Sequence, residues 1–259
     1  MNMIPFKAKG LSRRQFNQYC ELIYRECGIS LSEEKRELLN ARLGKRLRRL
    51  NIQPDDYLKL ILRDPGERSR FVDAISTNHT FFFRESKSFK FIDSSCRRIW
   101  CAASSSGEEP YSLAAHCYHQ GIDAAIWATD ISDSCLEKGR SAVYPIKGIE
   151  HIPIEILKKC FQKGRNQWEG YFRVRTEIRK MVQFSYFNLL KDQSPDQQFD
   201  IVFCRNVMIY FDQATKESVI HKLTNVLKPT GYFIIGGAES LNGLQHPLNY
   251  IEPSVYQKP

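Results

Sequence analysis

The sequence predicts an α/β protein: a mostly parallel sheet domain, preceded by an all-helical domain and interrupted by a small inserted β-subdomain. Three observations predict it. Helix start and stop signals dominate before about residue 78. After residue 96, short apolar runs alternate with helical segments over short connections. Between residues 144 and 182 a hairpin-like pattern breaks that rhythm. The expected divisions are 1–78 (helical), 79–259 (sheet) and 144–182 (insert within the sheet domain).

The helical part opens with Ser12, which suits a cap for a helix reaching Cys27, with Gly28 as its stop. Ser30 and Glu33 have capping-box spacing for a second helix ending near Leu50. A third follows Pro54 and halts at Asp64-Pro65-Gly66, and a fourth covers about Glu67 to Ser76. The first strand is expected at Arg98–Ala103, followed by a Ser/Gly loop and a helix from Pro110. Ala124–Thr129 is the second strand, closed by Asp130, with Ser132 as the next helix cap. Val182–Phe187, Asp200–Cys204 and Tyr232–Ile235 complete the strands, and Thr215–Leu227 is a helix stopped by Lys228-Pro229. Within the insert, Tyr171-Phe172-Arg173-Val174-Arg175 alternates as a hairpin strand does.

Composition removes several classes of function. An apolar fraction of 42% and a charged fraction of 26% are those of a folded globular chain. No run approaches the ~20 apolar residues of a membrane helix, so no membrane insertion is expected. The start MNMIPFKAKG lacks the basic and apolar regions of a secretory leader. The eight cysteines show no Cys-x-x-Cys spacing, which disfavours a zinc ribbon and a secreted disulfide scaffold. A cytoplasmic protein with reduced thiols is expected. His116 and His119 share a helix face, but no ligand cluster accompanies them, so no metal is expected. The net charge of +9 is concentrated early: residues 1–90 carry 19 Lys and Arg against 11 Asp and Glu, whereas residues 91–259 carry 19 against 18. One basic face is expected to meet something acidic.

Ligands of open α/β sheets bind at the carboxyl ends of the strands. The first such loop, Ser104-Ser105-Ser106-Gly107-Glu108-Glu109-Pro110, has one glycine and two carboxylates. Two anions oppose a pyrophosphate and suit a cationic or zwitterionic ligand. They equally suit a helix N-terminus, where the macrodipole favours acids. Asp130 can accept bonds from ribose hydroxyls, or serve only as a strand-end cap. A positively charged nucleoside without a pyrophosphate suggests S-adenosylmethionine.

These residues carry a resemblance. Asn78-His79-Thr80-Phe81-Phe82-Phe83-Arg84 resembles a segment of the chemotaxis receptor methyltransferases, the CheR family, and Ser105–Ser112 resembles their S-x-G-E-E-P-Y-S loop. Ala128–Ser132, Phe199–Phe211 with its Cys-Arg-Asn-Val-Met-Ile-Tyr-Phe run, and Leu227-Lys228-Pro229 with Glu239-Ser240-Leu241 match further blocks. The match runs in order over about residues 12 to 245. It implies a Rossmann-like, S-adenosylmethionine-dependent protein-glutamate O-methyltransferase that releases S-adenosylhomocysteine. The resemblance places Asn78, Thr80, Arg84, Glu109, Asp130, Asn188, Leu189, Cys204 and Arg205 along the cofactor, and Tyr210 near its methyl group. Arg84 and Tyr210 are the catalytic candidates. Two loops depart from the pattern: Thr230 stands where Gly or Asp is usual, and Gly237-Ala238 where His-Ser is common. The implied partner is the cytoplasmic domain of methyl-accepting receptors. The insert resembles the part that, in some members, adds a receptor tail peptide as an edge strand, although Gly164–Gly170 lacks an internal glycine found in some peptide-binding members.

The chemistry agrees with so sparse a set of residues. A sulfonium methyl group is already activated, and a glutamate with pKa near ~4.3 is ionised at pH 7. Alignment and water exclusion can then supply about 7–11 kcal/mol of the barrier. Arg84 has the fork that matches an incoming carboxylate. At 100° per residue, Arg42, Lys45, Arg46 and Arg49 fall within an arc of about 100° beside Leu39, Leu43, Leu47 and Leu50. The leucines are expected to face the bundle and the cations to form one continuous stripe toward acidic receptor helices. Phe81-Phe82-Phe83 suits either a base-stacking platform or, more readily, a wedge between helical domain and sheet. Two other functions stay in view: a nucleic-acid methyltransferase using the basic N-terminal third, and a non-catalytic S-adenosylmethionine sensor. The near-neutral sheet domain and the absence of Asn-Pro-Pro-Tyr and Pro-Cys motifs disfavour the first, so no nucleic-acid partner is expected. The presence of Arg84, Glu109, Asp130, Arg205 and Tyr210 disfavours the second. A monomer is the default expectation.

Overall fold

The computed structural model describes residues 10–259; the leader reading falls on residues 1–9, outside the described residues. The chain divides into two compact units, one running to Thr77 and taking in Tyr210–Asp212, the other comprising Asn78–Ile209 and Gln213–Pro259.

The first unit is helical: α1 (Arg13–Cys27), α2 (Arg36–Leu50), α3 (Pro54–Arg63) and α4 (Pro65–Ile75). Ser12 and Gln15 form a reciprocal capping box at the start of α1, and Gly28 ends it with φ 71°. The box expected of Ser30 and Glu33 does not form. The Ser30 amide instead donates to the Tyr210 carbonyl (2.9 Å), and a 3-10 turn at Glu33–Lys35 leads into α2. Helix α4 starts two residues before Glu67 because the Asp64 carboxylate accepts from the Gly66 and Glu67 amides. Phe16, Tyr19, Ile23, Leu43, Tyr57, Ile61 and Phe71 fill the interior, each aliphatic side chain contributing about 1.5–3 kcal/mol by burial.

Leu39, Leu43 and Leu47 face that interior as expected. The continuous cationic stripe needs correction. Helix α4 packs on α2 and brings Glu67, 3% exposed, against Arg46, 13% exposed, in a two-bond ion pair. Arg42 donates to the Ile75 carbonyl and the Thr77 hydroxyl. Only Lys45 and Arg49 of the four are open to solvent, joined by Arg48.

The second unit is built on a seven-stranded sheet. Its elements are β1 (Arg98–Ala102), α5 (Glu108–Gln120), β2 (Ala125–Asp130), α6 (Asp133–Ser141), β3 (Val143–Pro145), α7 (Ile154–Cys160), β4 (Phe161–Lys163), β5 (Tyr171–Val174), α8 (Thr176–Arg179), β6 (Val182–Tyr186), β7 (Phe199–Cys204), α9 (Gln213–Asn225), β8 (Leu227–Ile235), β9 (Asn249–Glu252) and β10 (Val255–Gln257). The strand order is β6-β2-β1-β7-β8-β10-β9. The first five strands pair in parallel, and β10 pairs antiparallel with both β8 and β9. Strand order reverses between β1 and β7, so the crevice for a ligand lies at the carboxyl ends of that pair. Helix α5 starts at Glu108, earlier than Pro110, because Gly107 (φ 94°) turns the chain directly into it. The β9–β10 hairpin was not expected; its Asn249-Tyr250-Ile251-Glu252 strand is exposed and carries no alternation.

The insert forms its own antiparallel sheet, β3-β5-β4. Phe82, 1% exposed, packs on Tyr144, Phe161 and Phe172 with ring centroids 4.9–5.5 Å apart. Phe82 is therefore a wedge into the insert, while Phe83 packs on Phe89, so both rings are spent on the core of the sheet unit and neither is free as a stacking platform.

One local conflict is testable. Thr230 sits within β8 at φ 62°, in a region that costs a residue with a Cβ about 1–2 kcal/mol. Thr230→Gly relieves the clash and loses part of the gain to chain entropy. A gain of about 1 kcal/mol is expected, read as a melting temperature about 2–4 °C higher.

Candidate active site

The loops after β1 and β7 are held under backbone strain. Ala103 (φ 69°), Ser105 (φ 48°) and Asn206 (φ 58°) are all left-handed, a conformation that persists only where the surroundings enforce it. Gly107 has no alternative: a Cβ there would lie 2.8 Å from the Tyr144 hydroxyl and 3.0 Å from the Gly139 Cα. Asp130, 7% exposed at the end of β2, ties the first loop down by accepting from the Ser105 amide (2.7 Å) and the Ser132 amide (2.9 Å). The expected ribose contact would add to this bracing role at the same strand end.

Arg205 follows β7 directly and is 5% exposed. Its guanidinium donates to Glu109 Oε2 (2.7 Å), Glu85 Oε2 (3.0 Å) and the Arg84 carbonyl (2.6 Å). Burial by itself would lower its pKa, but Glu109 and Glu85 more than offset that and raise it. Burial likewise acts to raise Glu85, yet Arg205 and the Gly237 amide (2.8 Å) hold its carboxyl below the usual range. Glu109 Oε1 accepts from the Cys101 thiol (3.0 Å). Glu108 belongs to its own helix terminus, bonded by Ser106 Oγ (2.6 Å) and near Lys138. Cys204 is fully buried at the end of β7, and that burial pushes its thiol far up.

Arg84 is partly exposed, donates to the His79 carbonyl (3.1 Å) and lies over the Phe81 ring. Asn188 and Leu189 follow β6 and reach Asp130 through the Phe187 amide, which donates to the Asp130 carbonyl (3.1 Å). The structure thus brings Arg84, Glu109, Asp130, Asn188, Leu189, Cys204 and Arg205 to adjacent strand ends. Asn78 and Thr80 lie just upstream of Arg84, Asn78 exposed and Thr80 half-buried. Arg42, Lys45, Arg46, Arg49 and Tyr210 belong to the helical unit.

Two residues at the crevice were given no site role by the sequence, although Glu239 lies in one of the matching blocks. Glu85 is the counter-charge that a buried Arg205 requires, a need visible only once burial is known. Glu239 accepts from the Asn206 (2.9 Å), Gly236 (2.7 Å) and Ile209 (3.3 Å) amides, fastening the β7 loop. Gly236 is needed in that clasp because a Cβ would come within 2.4 Å of the Asn206 side chain.

The donor set fits S-adenosylmethionine. The Ser104 hydroxyl and Arg205 Nε are buried without a partner among the described residues, and such orphaned groups mark a place where a polar ligand completes the bonding. Among the described residues no cluster could hold a metal. Residues 14–76 match the family model for the all-alpha domain of CheR methyltransferases, and residues 78–256 match that for the CheR SAM binding domain. The chain belongs to the CheR methyltransferase family. It is 37% identical to chemotaxis protein methyltransferase 2 of Pseudomonas aeruginosa, over 95% of this chain and 93% of that one. It is also 37% identical to the chemotaxis protein methyltransferase of Salmonella typhimurium (95% and 90% covered) and 36% identical to that of Escherichia coli (95% and 91%). The CheR chain is an S-adenosylmethionine-dependent methyltransferase, and its sheet unit is the cofactor-binding domain.

Asp130→Ala removes a charged acceptor that also braces the Ser105 loop. The loss expected is about 1.5–3 kcal/mol, or roughly 10- to 150-fold in calorimetric affinity for S-adenosylmethionine and S-adenosylhomocysteine alike.

Proposed function

We propose that this CheR protein methylates glutamate side chains of chemotaxis receptors, forming methyl esters for sensory adaptation, in the cytoplasm and as a monomer. One observation carries the reading. Every carboxylate at the strand ends is already committed: Glu109 to Arg205 and Cys101, Glu85 to Arg205 and Gly237, Asp130 to Ser105 and Ser132, Glu239 to three amides. None is poised as a general base. The arrangement suits an acceptor that arrives ionised, which a glutamate does at pH 7 and an amine or alcohol does not.

The bound cofactor supplies a methyl group already activated by its sulfonium. The chain's own part is positioning. Arg205 with Glu85 and Glu109 fixes the strand-end loops, Asp130 holds the nucleoside, and Arg84 takes the incoming carboxylate by its partly exposed guanidinium. Tyr210 orients the carboxylate or the methyl donor through its hydroxyl. No proton changes hands in the transfer. The relatives, named as chemotaxis protein methyltransferases, support receptors as the substrate class, and eight free cysteines are in keeping with a reducing compartment. Among the described residues no helix is long and apolar enough to cross a membrane. A receptor tail peptide added beside β3 or β4, the outer strands of the insert, belongs to the same reading.

Labelled methyl groups transferred to receptor are expected to leave as methanol at high pH, since carboxyl esters are base-labile; label that resists base refutes glutamate as acceptor. In the same assay Arg84→Ala should lower turnover far more than cofactor affinity, and Tyr210→Phe should lower turnover with packing retained.

Lys45 and Arg49 remain the receptor-facing candidates of α2, whereas Arg42 and Arg46 brace the helical unit. Exposed charges steer encounter and are screened over about 8 Å at physiological ionic strength. Lys45→Glu with Arg49→Glu should therefore raise the KM for receptor most at low salt and leave the melting temperature unchanged. Arg46→Glu, which places an anion against buried Glu67, should instead destabilise the fold by about 3–5 kcal/mol, seen in denaturant unfolding.

A further inference from the structure

Lysine side chains ordinarily keep their ammonium in water. Lys222, near the end of α9 and half-buried, turns its ammonium onto backbone carbonyls. Its Nζ donates to the carbonyls of Leu189 (2.7 Å), Leu190 (3.0 Å) and Asp192 (2.6 Å), so all three of its donors are spent on one loop. Burial lowers its pKa, a sign of the water it has given up. The loop is otherwise knit to itself. Asn188 Oδ1 accepts from the Leu190 (2.9 Å) and Lys191 (3.3 Å) amides, and the Asn188 amide donates to Asp192 Oδ2 (2.7 Å). Three carbonyl oxygens converging on one point repel one another unless a cation sits among them. Lys222 is therefore what permits this loop shape.

The loop's place gives the shape a use. It leaves β6, on the far side of β2 from β1. The β1 side carries the two carboxylates, Glu108 and Glu109, which suit the cationic end of the donor, so a nucleoside whose ribose meets Asp130 leaves its base for the β6 side.

We propose that Lys222 is a positioning residue for the methyl donor, its ammonium holding the Asn188–Asp192 loop in the form that receives the nucleobase end. The inference rests on Asn188 and Leu189 lining the cofactor, and it is independent of which acceptor is methylated.

Lys222→Met keeps the methylene stem and removes the cation. In the ligand-free variant the amides of Leu190, Lys191 and Asp192 should exchange hydrogen at least tenfold faster. The Kd should rise tenfold or more for S-adenosylmethionine, and by a similar factor for 5′-methylthioadenosine, which lacks the amino-acid end. The kcat at saturating donor and the KM for receptor should not move. If Lys222→Met does not fold, Lys222→Gln, which keeps two donors, should show an intermediate loss. Unchanged affinity for both ligands, or a fall confined to turnover at saturating donor, overturns the proposal. Asn188→Ala separates the causes: if it weakens the donor while Lys222→Met does not, the positioning role fails, and if both are silent, the lining assignment fails with it.

Discussion

A guanidinium buried between two carboxylates is expensive to desolvate and unstable if either partner leaves. Arg205 is in that position, held by Glu109 on one side and Glu85 on the other while also capping the Arg84 carbonyl. The three acidic and basic groups come from separate parts of the chain: the helix after β1, the segment before the sheet and the end of β7. Breaking one member leaves an uncompensated buried charge, a cost of about 3–5 kcal/mol in comparable pairs. The strained residues around it, Phe83, Glu85, Ala103 and Asn206, persist because this pairing leaves the loops no cheaper arrangement.

The network also decides what chemistry the site can perform. Carboxylates spent on holding loops are poor general bases, and the surrounding cysteines are kept protonated by burial. What remains is a strand-end crevice suited to a methyl donor that is already activated, with the partly exposed Arg84 beside it. On the proposed reading, such a site accelerates the reaction by alignment and suits acceptors that need no deprotonation. Glu239 and Lys222 extend the same logic outward, each using one charged group to satisfy several backbone groups of a strand-end loop.

Much of the fold was legible because it depends on local signals. The apolar runs at β1, β2 and β7 and the caps at Ser12, Gly28 and Ser132 identify themselves within the sequence. The outer hairpin was not legible, since Asn249–Glu252 is neither apolar nor alternating. At the site, Glu109, Asp130 and Arg205 stand beside recognisable strand ends. Glu85 and Glu239 gain their roles from partners 120 and 33 residues away, which no local pattern encodes. The helical wheel correctly turned the α2 leucines inward, but a wheel carries no information about the neighbouring helix. Glu67, on α4, is what draws Arg46 out of the cationic face.

The central claim is that Glu85 and Glu109 act on the cofactor site through one shared cation. A double-mutant cycle of Glu85→Gln and Glu109→Gln, read by calorimetric affinity for S-adenosylmethionine, tests it most directly. Each single change should weaken binding, and the double variant should lose less than the two losses combined by at least about 1 kcal/mol, because the first change already frees Arg205. Losses that add to within about 0.3–0.5 kcal/mol would show that the two carboxylates act independently and contradict the account.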